Sequence, residues 1–267
     1  MDIQEFVAFH RPALEGDVAR HTVLLAILAR ALEEDPPGQT QIWSLGDAGA
    51  CAARSPGHGV VFGDVTRGQC RELAETLAGT HFHGVLGNDD TALWFVERAW
   101  QHGATFKDPM PQRLNAITAP PIYPGADGNA RPLTSDDADL FAEWFPLFCK
   151  EASPEDEIPP REHLDRGAAS GRFMLWEVDG KPVSMAGIVR RVKNCAAIAA
   201  VYTPPELRGR GYAGSVTAAV VEKVYAEGRR AACLYTDLRN PASNRCYEKI
   251  GFKPLCDSWF FLQKSEK

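Results

Sequence analysis

Residues 207–214 read LRGRGYAG and lead directly into SVTAAVVEKVYAEG, whose composition predicts a helix. Glycine near a helix start normally lowers stability, so the bare backbone here needs a separate reason. The first N–H groups of a helix have no partner within it and lie at the positive end of its dipole, where they bind phosphate oxygens. Arg208 and Arg210 would add charge-assisted contacts. The stretch predicts a site for a phosphate-bearing ligand; a solvated basic loop and an RNA-contacting Arg/Gly patch are the alternatives.

Two common phosphate-binding motifs are not complete in this stretch. A Walker A loop needs Gly-Lys-Ser/Thr, which occurs nowhere in the chain. The glycines at 209, 211 and 214 have the spacing of the dinucleotide motif GxGxxG, but that motif also requires an acidic ribose ligand at a fixed spacing, which this chain does not show. We therefore expect a ligand of another class.

A second motif lies downstream, in LYTDLRNPASNRCYEKIGFKP. It fits the pattern Asn-x-x-Ser/Ala-x-x-x-Tyr-x-x-x-Gly-Phe through Asn240, Ser243, Tyr247, Gly251 and Phe252. This motif is similar to one of the GNAT superfamily of N-acetyltransferases. The resemblance covers about residues 172–255 and extends back to about residue 130.

The upstream stretch resembles the acetyl-CoA signature of the same superfamily, Arg/Gln-x-x-Gly-x-Gly/Ala, through Arg208, Gly211 and Ala213. The resemblance implies acetyl-CoA as co-substrate, direct transfer of its acetyl group to an amine, and no metal. The implied contacts with acetyl-CoA are made by Val201, Tyr202 and Thr203 along the pantetheine and thioester, by Arg208, Gly209, Arg210, Gly211, Tyr212 and Ala213 around the pyrophosphate, and by Asn240, Ser243 and Asn244 beside the lower pantetheine.

The resemblance also implies that Tyr247 donates a proton to the departing CoA thiolate. A phenol titrates near 10 and a thiol near 8.5, so a placed tyrosine can protonate the thiolate without first being ionised. The alternative for Tyr247 is a ring that only packs in the core.

An attacking amine must be neutral, so a general base is expected. Many members of the superfamily carry a Glu on the strand before the signature, but residues 195–201 here read CAAIAAV, without a carboxylate. Tyr202, Glu177 or a carboxylate from residues 151–157 could act through water instead. That acidic loop, with Glu151, Glu155, Asp156 and Glu157, is either solvated surface or a rim that attracts a cationic amine. A non-catalytic acyl-CoA-binding or sensor protein is therefore the alternative function.

The predicted elements around these motifs are helices and strands in a mixed order. A helix is expected over residues 12–33, and later helices over 69–78, 89–102 and 160–170. The Asp-Gly pair at 179–180 predicts a hairpin. This order gives an α/β fold of GNAT type, with a mixed, mostly antiparallel twisted sheet flanked by helices and a smaller α/β domain before it.

The Pro/Gly-rich segment over residues 119–130 predicts a domain boundary. We expect an N-terminal α/β domain over 1–125 and a GNAT-like acetyltransferase domain over 128–267. The order of predicted helices and strands in the N-terminal half is similar to that of part of a GNAT domain, but neither of the two GNAT motifs occurs there. It is therefore read either as a degenerate GNAT-like domain or as a plain structural cap.

Composition narrows the class of protein. The chain has 267 residues and a net charge of −6, and its second half is only balanced in charge, which disfavours nucleic-acid binding. We expect no membrane span and no secretory signal, and therefore a cytoplasmic protein whose cysteines are reduced and mostly buried. We also expect a monomer or homodimer that acts on a small-molecule amine. His81 and His83 form a possible metal pair, but without a third ligand a structural role is expected.

Overall fold

The computed structural model describes residues 1–33, 38–152 and 158–264. The chain divides into two compact units. Unit 1 comprises Met1–Asn115, Tyr235–Asn240 and Pro254–Lys267, and unit 2 comprises Ala116–Leu234 and Pro241–Lys253. The division is therefore not a single cut along the sequence, because two C-terminal segments belong by their contacts to unit 1.

Unit 1 contains two helices, a strand meander, and two further helices that alternate with strands. Its helices are α1 (Ile3–Leu14), α2 (Thr22–Ala31), α3 (Arg67–Thr76) and α4 (Thr91–Gln101). Its strands are β1 (Gln41–Ser44), β2 (Cys51–Arg54), β3 (Val60–Phe62), β4 (Gly84–Asn88) and most of β5 (Met110–Ile117). The pairs β1–β2 and β2–β3 are antiparallel, whereas β3–β4 is parallel.

Unit 2 repeats this order of elements. Its helices are α5 (Ala138–Ala152), α6 (Arg161–Ala169), α7 (Tyr212–Ala226) and α8 (Pro241–Ile250). Its strands are β6 (Asn129–Pro132), β7 (Phe173–Val178), β8 (Lys181–Val192), β9 (Cys195–Tyr202) and the first part of β10 (Ala231–Asp237). The pairs β7–β8 and β8–β9 are antiparallel, and β9–β10 is parallel.

Two features of unit 2 follow directly from its sequence. Asp179 and Gly180 both have positive φ, 50° and 72°, as the tight turn between β7 and β8 requires. Helix α7 buries Val216, Val220 and Val224 completely, and each fully buried valine contributes about 1.5–3 kcal/mol. This core holds α7 firmly under the sheet.

The last strand, β11 (Lys253–Leu262), pairs antiparallel with β4 through Ser258–Leu262. Both partners lie in unit 1. The mixed α/β architecture with helices on the sheet, expected from the sequence, is confirmed.

The helix expected over residues 12–33 is wrong in extent. Helix α1 starts at Ile3, where Asp2 and Glu5 form a capping box, and ends at Leu14. A 3₁₀ turn over Glu15–Asp17 separates it from α2. The apolar stripe that suggested one long helix belongs to α2, and the Asp-x-x-Glu signal at residues 2–5 marked the true start.

Strand β6 was not expected, because its four residues show no alternation. It forms through antiparallel pairing with β7, from Asn129↔Glu177 to Pro132↔Met174. The pairing partner, which local sequence does not reveal, decides this element.

Candidate active site

The N-terminus of α7 is open. Gly211 occupies the cap position in the left-handed conformation, φ 86° and ψ −3°, and no side chain caps the helix. Within the described residues, no protein acceptor takes the N–H groups of residues 209–213. Arg208, Gly209, Arg210 and Gly211 are exposed. Unpaired N–H groups at the positive end of a helix dipole form an anion-binding cradle.

Two physical needs explain the glycines of this stretch. Gly209 and Gly211 have φ of 79° and 86°, a region that side chains with a Cβ rarely adopt. Gly214 is needed for close packing, because a Cβ there would lie 2.6 Å from Pro124 Cγ. The same Cβ would lie 3.5 Å from Cys246 Sγ, so α8 passes beside the first turn of α7.

The corresponding helix of unit 1 is closed. Thr66 caps α3 and accepts from the Gln69 backbone N–H, while the Gln69 side chain accepts from the Thr66 N–H. The capping box provides acceptors for these two backbone N–H groups, so they are not available to bind an anion. Of the two equivalent helices, only α7 therefore offers an open cradle.

Strand β9 separates from β10 well before its own end. The parallel pairing with β10 runs from Cys195↔Ala231 to Ala197↔Cys233 and ends there, although β9 continues to Tyr202. The last residues of β9 therefore have backbone groups on one side that no strand pairs. Such groups can pair with an extended ligand.

A β-bulge distorts β9 within this unpaired part. Ala200 has a φ of 53°, which is uncommon for a non-glycine residue and marks local strain. Between the pairs Gly187↔Ala199 and Met185↔Tyr202, β9 contains one residue more than β8.

The bulge changes which face the side chains occupy. Ile198 and then Val201 pack towards the α7 core, while Ala200 and Tyr202 pack with Trp144 of α5. Bulges re-aim backbone and side chains near active sites. The N–H groups of Val201 and Tyr202 therefore lie at a kink in the strand.

Ser184 of β8 holds the end of β9. Its Oγ donates to the Tyr202 carbonyl at 2.9 Å and lies 2.8 Å from Thr203 Oγ1. Ser184 is fully buried. Sequence reasoning missed this residue, because no motif marks it and its partners come from another strand.

Tyr247 lies on α8, one turn after Ser243. The two side chains are hydrogen bonded, and burial raises the pKa of the Tyr247 phenol above its ordinary value. The Tyr247 ring packs edge-on against Phe252, with the ring centroids 6.0 Å apart. The phenol is therefore held protonated and in a fixed position, as a proton donor requires.

The remaining predicted residues lie in different surroundings. Tyr212 is buried in the α7 core, and Ala213 follows it in the first turn. Ser243 and Asn244 are half-buried on α8. Asn240 directly precedes α8 but belongs by its contacts to unit 1. The other predicted site residues all belong to unit 2.

The Arg208 side chain already has partners. Its Nη2 lies 2.7 and 2.9 Å from the carboxylate oxygens of Glu151, and its Nε donates to the Thr203 carbonyl at 2.9 Å. The guanidinium carbon also lies 5.9 Å from the centroid of the Tyr202 ring. The side chain of Arg208 thus braces the end of β9, while the backbone N–H groups after it form the cradle.

Two of the candidate bases are poorly suited to the role. Glu177 accepts from Arg131 Nε at 2.7 Å, so this carboxylate already has a partner. Burial and then the charge of Glu151 raise the pKa of Tyr202, so its phenol stays protonated near neutral pH. Glu155, Asp156 and Glu157 lie outside the described residues.

The described residues contain no group of three or more ligands able to hold a metal ion. None of the described helices has the length and apolar character needed to cross a membrane. Cys51, Cys70, Cys195 and Cys233 are buried.

Comparison with known proteins agrees with this geometry. A sequence model described as the Acetyltransferase (GNAT) family matches residues 138–252. A search of curated proteins finds no match. The matched range contains the cradle, β9 and Tyr247.

Solved structures resemble the whole chain in fold. The X-ray structure of a Drosophila protein has a TM-score of 0.68 at 15% identity, covering 98% of this chain and 97% of that one. A GCN5-related N-acetyltransferase from Kribbella flavida has a TM-score of 0.60 at 15% identity, covering 94% and 96%. One from Sphaerobacter thermophilus has a TM-score of 0.51 at 17% identity, covering 82% and 77%.

At these identities the similarity shows the fold alone, and it extends over both units. The family match, the open cradle at Gly211 and the bulged strand before it all fall in the same domain. Residues 138–252 therefore match the model of the Acetyltransferase (GNAT) family, and the solved structures share the fold.

Proposed function

We propose that the protein transfers an acetyl group from acetyl-CoA to the nitrogen of a small-molecule amine. The observation that carries this proposal is the uncapped N-terminus of α7 at Gly211, directly after a strand with unpaired backbone groups. An open anion cradle fits a pyrophosphate. An unpaired strand end fits the extended pantetheine arm.

Each part of the site has one task in this reaction. The N–H groups of residues 209–213 hold the pyrophosphate, and those of Val201 or Tyr202 hold the thioester oxygen. The latter contact strengthens as negative charge develops on that oxygen. Much of the rate gain comes from holding the amine and the thioester in line. Acetyl-CoA, when bound, supplies an acyl group activated as a thioester.

Tyr247 completes the exchange of bonds. As the amine forms its C–N bond, the C–S bond breaks, and the Tyr247 hydroxyl gives its proton to the sulfur. The proton of the attacking nitrogen passes to water, because β9 offers no carboxylate to take it. Turnover should therefore rise with pH as more of the amine becomes neutral.

A second candidate is a protein that binds acyl-CoA without turning it over. The absence of a carboxylate on β9 and the pairing of Glu177 with Arg131 favour it. Both functions need the cradle, but only the enzyme needs the Tyr247 proton.

Acetyl-CoA binding by calorimetry and thiol release with a panel of amines separate these functions. Binding together with amine-dependent thiol release, and acetylated amine by mass spectrometry, supports the acetyltransferase. Binding without release across mono- and diamines supports the binding protein. The absence of binding contradicts both.

A further inference from the structure

A cavity of about 200 Å³ in unit 1 has an unusual set of polar side chains. Three of the seven histidines of the chain line it, together with one arginine. The lining residues are Gln39, Gln41, Arg54, Ser55, Pro56, Gly57, His58, His81, Phe82 and His83. No carboxylate of the described residues is among them, although residues 1–127 carry 16 acidic against 9 basic side chains.

Arg54 brings a positive charge to the cavity without a carboxylate beside it. Its Nη1 donates to the His81 carbonyl at 2.9 Å, and its Nη2 donates to the Gln41 side chain. Both partners are uncharged, and burial lowers the pKa of Arg54. A guanidinium has five N–H donors, so three remain for a ligand.

Three other arginines of unit 1, Arg20, Arg98 and Arg113, each lie within 2.7 Å of a carboxylate oxygen. Arg54 has no such ion pair among the described residues, so an anion would complement its charge.

Two of the lining histidines, His81 and His83, lie close together. His81 and His83 flank the buried Phe82, and their ring centroids are 5.5 Å apart. His83 has a φ of 63°, which is uncommon outside glycine. Strained backbone of this kind is concentrated at ligand sites.

The loop with His58 is held close to Gly84, which follows His83 at the start of β4. A Cβ on Gly59 would lie 2.6 Å from the Gly84 carbonyl oxygen, so only glycine permits this approach. The Nδ1 of His58 lies 2.8 Å from the Pro56 carbonyl and must carry the proton, because a carbonyl only accepts. Its Nε2 accepts when the ring is neutral and donates when the ring is charged.

We propose that this cavity, lined by Arg54, His58, His81 and His83, binds the phosphate group of a small phosphate monoester. Arginine presents donors in a fork that matches phosphate oxygens. The three lining imidazoles can add further N–H donors. The three histidines do not form a metal site, since no metal-binding group occurs among the described residues. Every residue of this site belongs to unit 1.

Calorimetric titration with inorganic phosphate, and then with sulfate, tests the proposal on the full chain. The unmodified protein should bind saturably, and Arg54→Gln and His58→Gln should each weaken binding about tenfold or more. His58→Gln guards against a folding defect, since the exposed His58 ring bonds only to the nearby Pro56 carbonyl. Two matched controls, Arg30→Gln and His102→Gln, remove a charge or an imidazole from exposed positions outside the lining.

Three outcomes overturn the proposal. The first is no saturable binding by the unmodified protein, and the second is unchanged binding in both Arg54→Gln and His58→Gln. The third is an equal loss in the two controls, which would reduce the effect to overall charge. Loss of binding in the lining variants alone supports it.

Discussion

The Nη2 atom of Arg208 lies 2.7 and 2.9 Å from the two carboxylate oxygens of Glu151. The signature arginine is therefore paired with an acid at the end of α5, and this negative charge stands next to an anion cradle. Glu151 is also less available to attract a cationic amine than an unpaired loop carboxylate would be.

Glu151→Gln should tighten acetyl-CoA binding by about two- to fivefold, because it removes a negative charge near the cradle and releases Arg208. The side chains of Arg208 and Glu151 are 46% and 51% exposed, so the substitution should change the free energy of unfolding by less than about 1 kcal/mol. Calorimetry at low salt checks the affinity. Glu162→Gln, on the exposed side of α6, is the charge control, and weaker binding in Glu151→Gln would contradict the account.

Gly211→Val should abolish the rise in melting temperature that acetyl-CoA produces in the unmodified protein. A Cβ at Gly211 would lie 3.3 Å from Ala126 Cβ and 3.5 Å from Pro124 Cβ, on backbone with a φ of 86°. Gly228→Val is the matched control: Gly228 has a φ of 81°, open space around it, and lies past the other end of α7. Both variants should lose stability from strained backbone, by about 1–2 kcal/mol, but only the control should keep the ligand response.

Tyr247→Phe should leave acetyl-CoA affinity unchanged and lower kcat by about 10²–10⁴-fold, the usual size of a general-acid contribution. Phenylalanine keeps the packing against Phe252 and removes only the hydroxyl. Tyr225→Phe is the control, since that hydroxyl donates to the Ile117 and Ala119 carbonyls at 3.1 and 3.0 Å. Full activity of Tyr247→Phe would remove Tyr247 from the mechanism.

Asp137→Asn should lower the free energy of unfolding near neutral pH by about 1–3 kcal/mol. Arg131 donates to both Asp137 oxygens at 2.7 Å and holds the pKa of that carboxyl below its ordinary value. Its stabilisation is therefore complete above about pH 4 and is lost as the pH falls through the lowered pKa.

Urea unfolding at about pH 7 and about pH 3 checks this sign. The difference between Asp137→Asn and the unmodified protein should shrink at the lower pH. Asp136→Asn, the exposed neighbour in the same turn, should have little effect at either pH. A difference that grows on acidification would contradict the assignment.

The elements that the sequence predicted well are those with strong local signals. The helix after the glycine stretch, the Asp-Gly hairpin and the helix of the Asn…Tyr motif all occur where expected, as α7, β7–β8 and α8. Turn residues, caps and apolar periodicity act over a few neighbours, so they can be read from the chain alone.

The features that sequence reasoning missed depend on partners far along the chain. Alanine rarely takes the left-handed conformation, so nothing local announces the bulge at Ala200. The Ser184 contacts with β9 and the Glu151–Arg208 pair join residues 18 to 57 positions apart. Only the tertiary fold brings these groups together.

Amide hydrogen exchange with and without acetyl-CoA tests the central claim most directly, because the two units offer an internal comparison. The N–H groups of residues 209–213 have no acceptor in the described protein and should exchange fast, whereas the capping box at Thr66 and Gln69 satisfies the start of α3. The account predicts that acetyl-CoA slows exchange across 209–213 and at the end of β9 and leaves the start of α3 unchanged. Slowing at α3, or none at residues 209–213, would contradict the placement of the donor site.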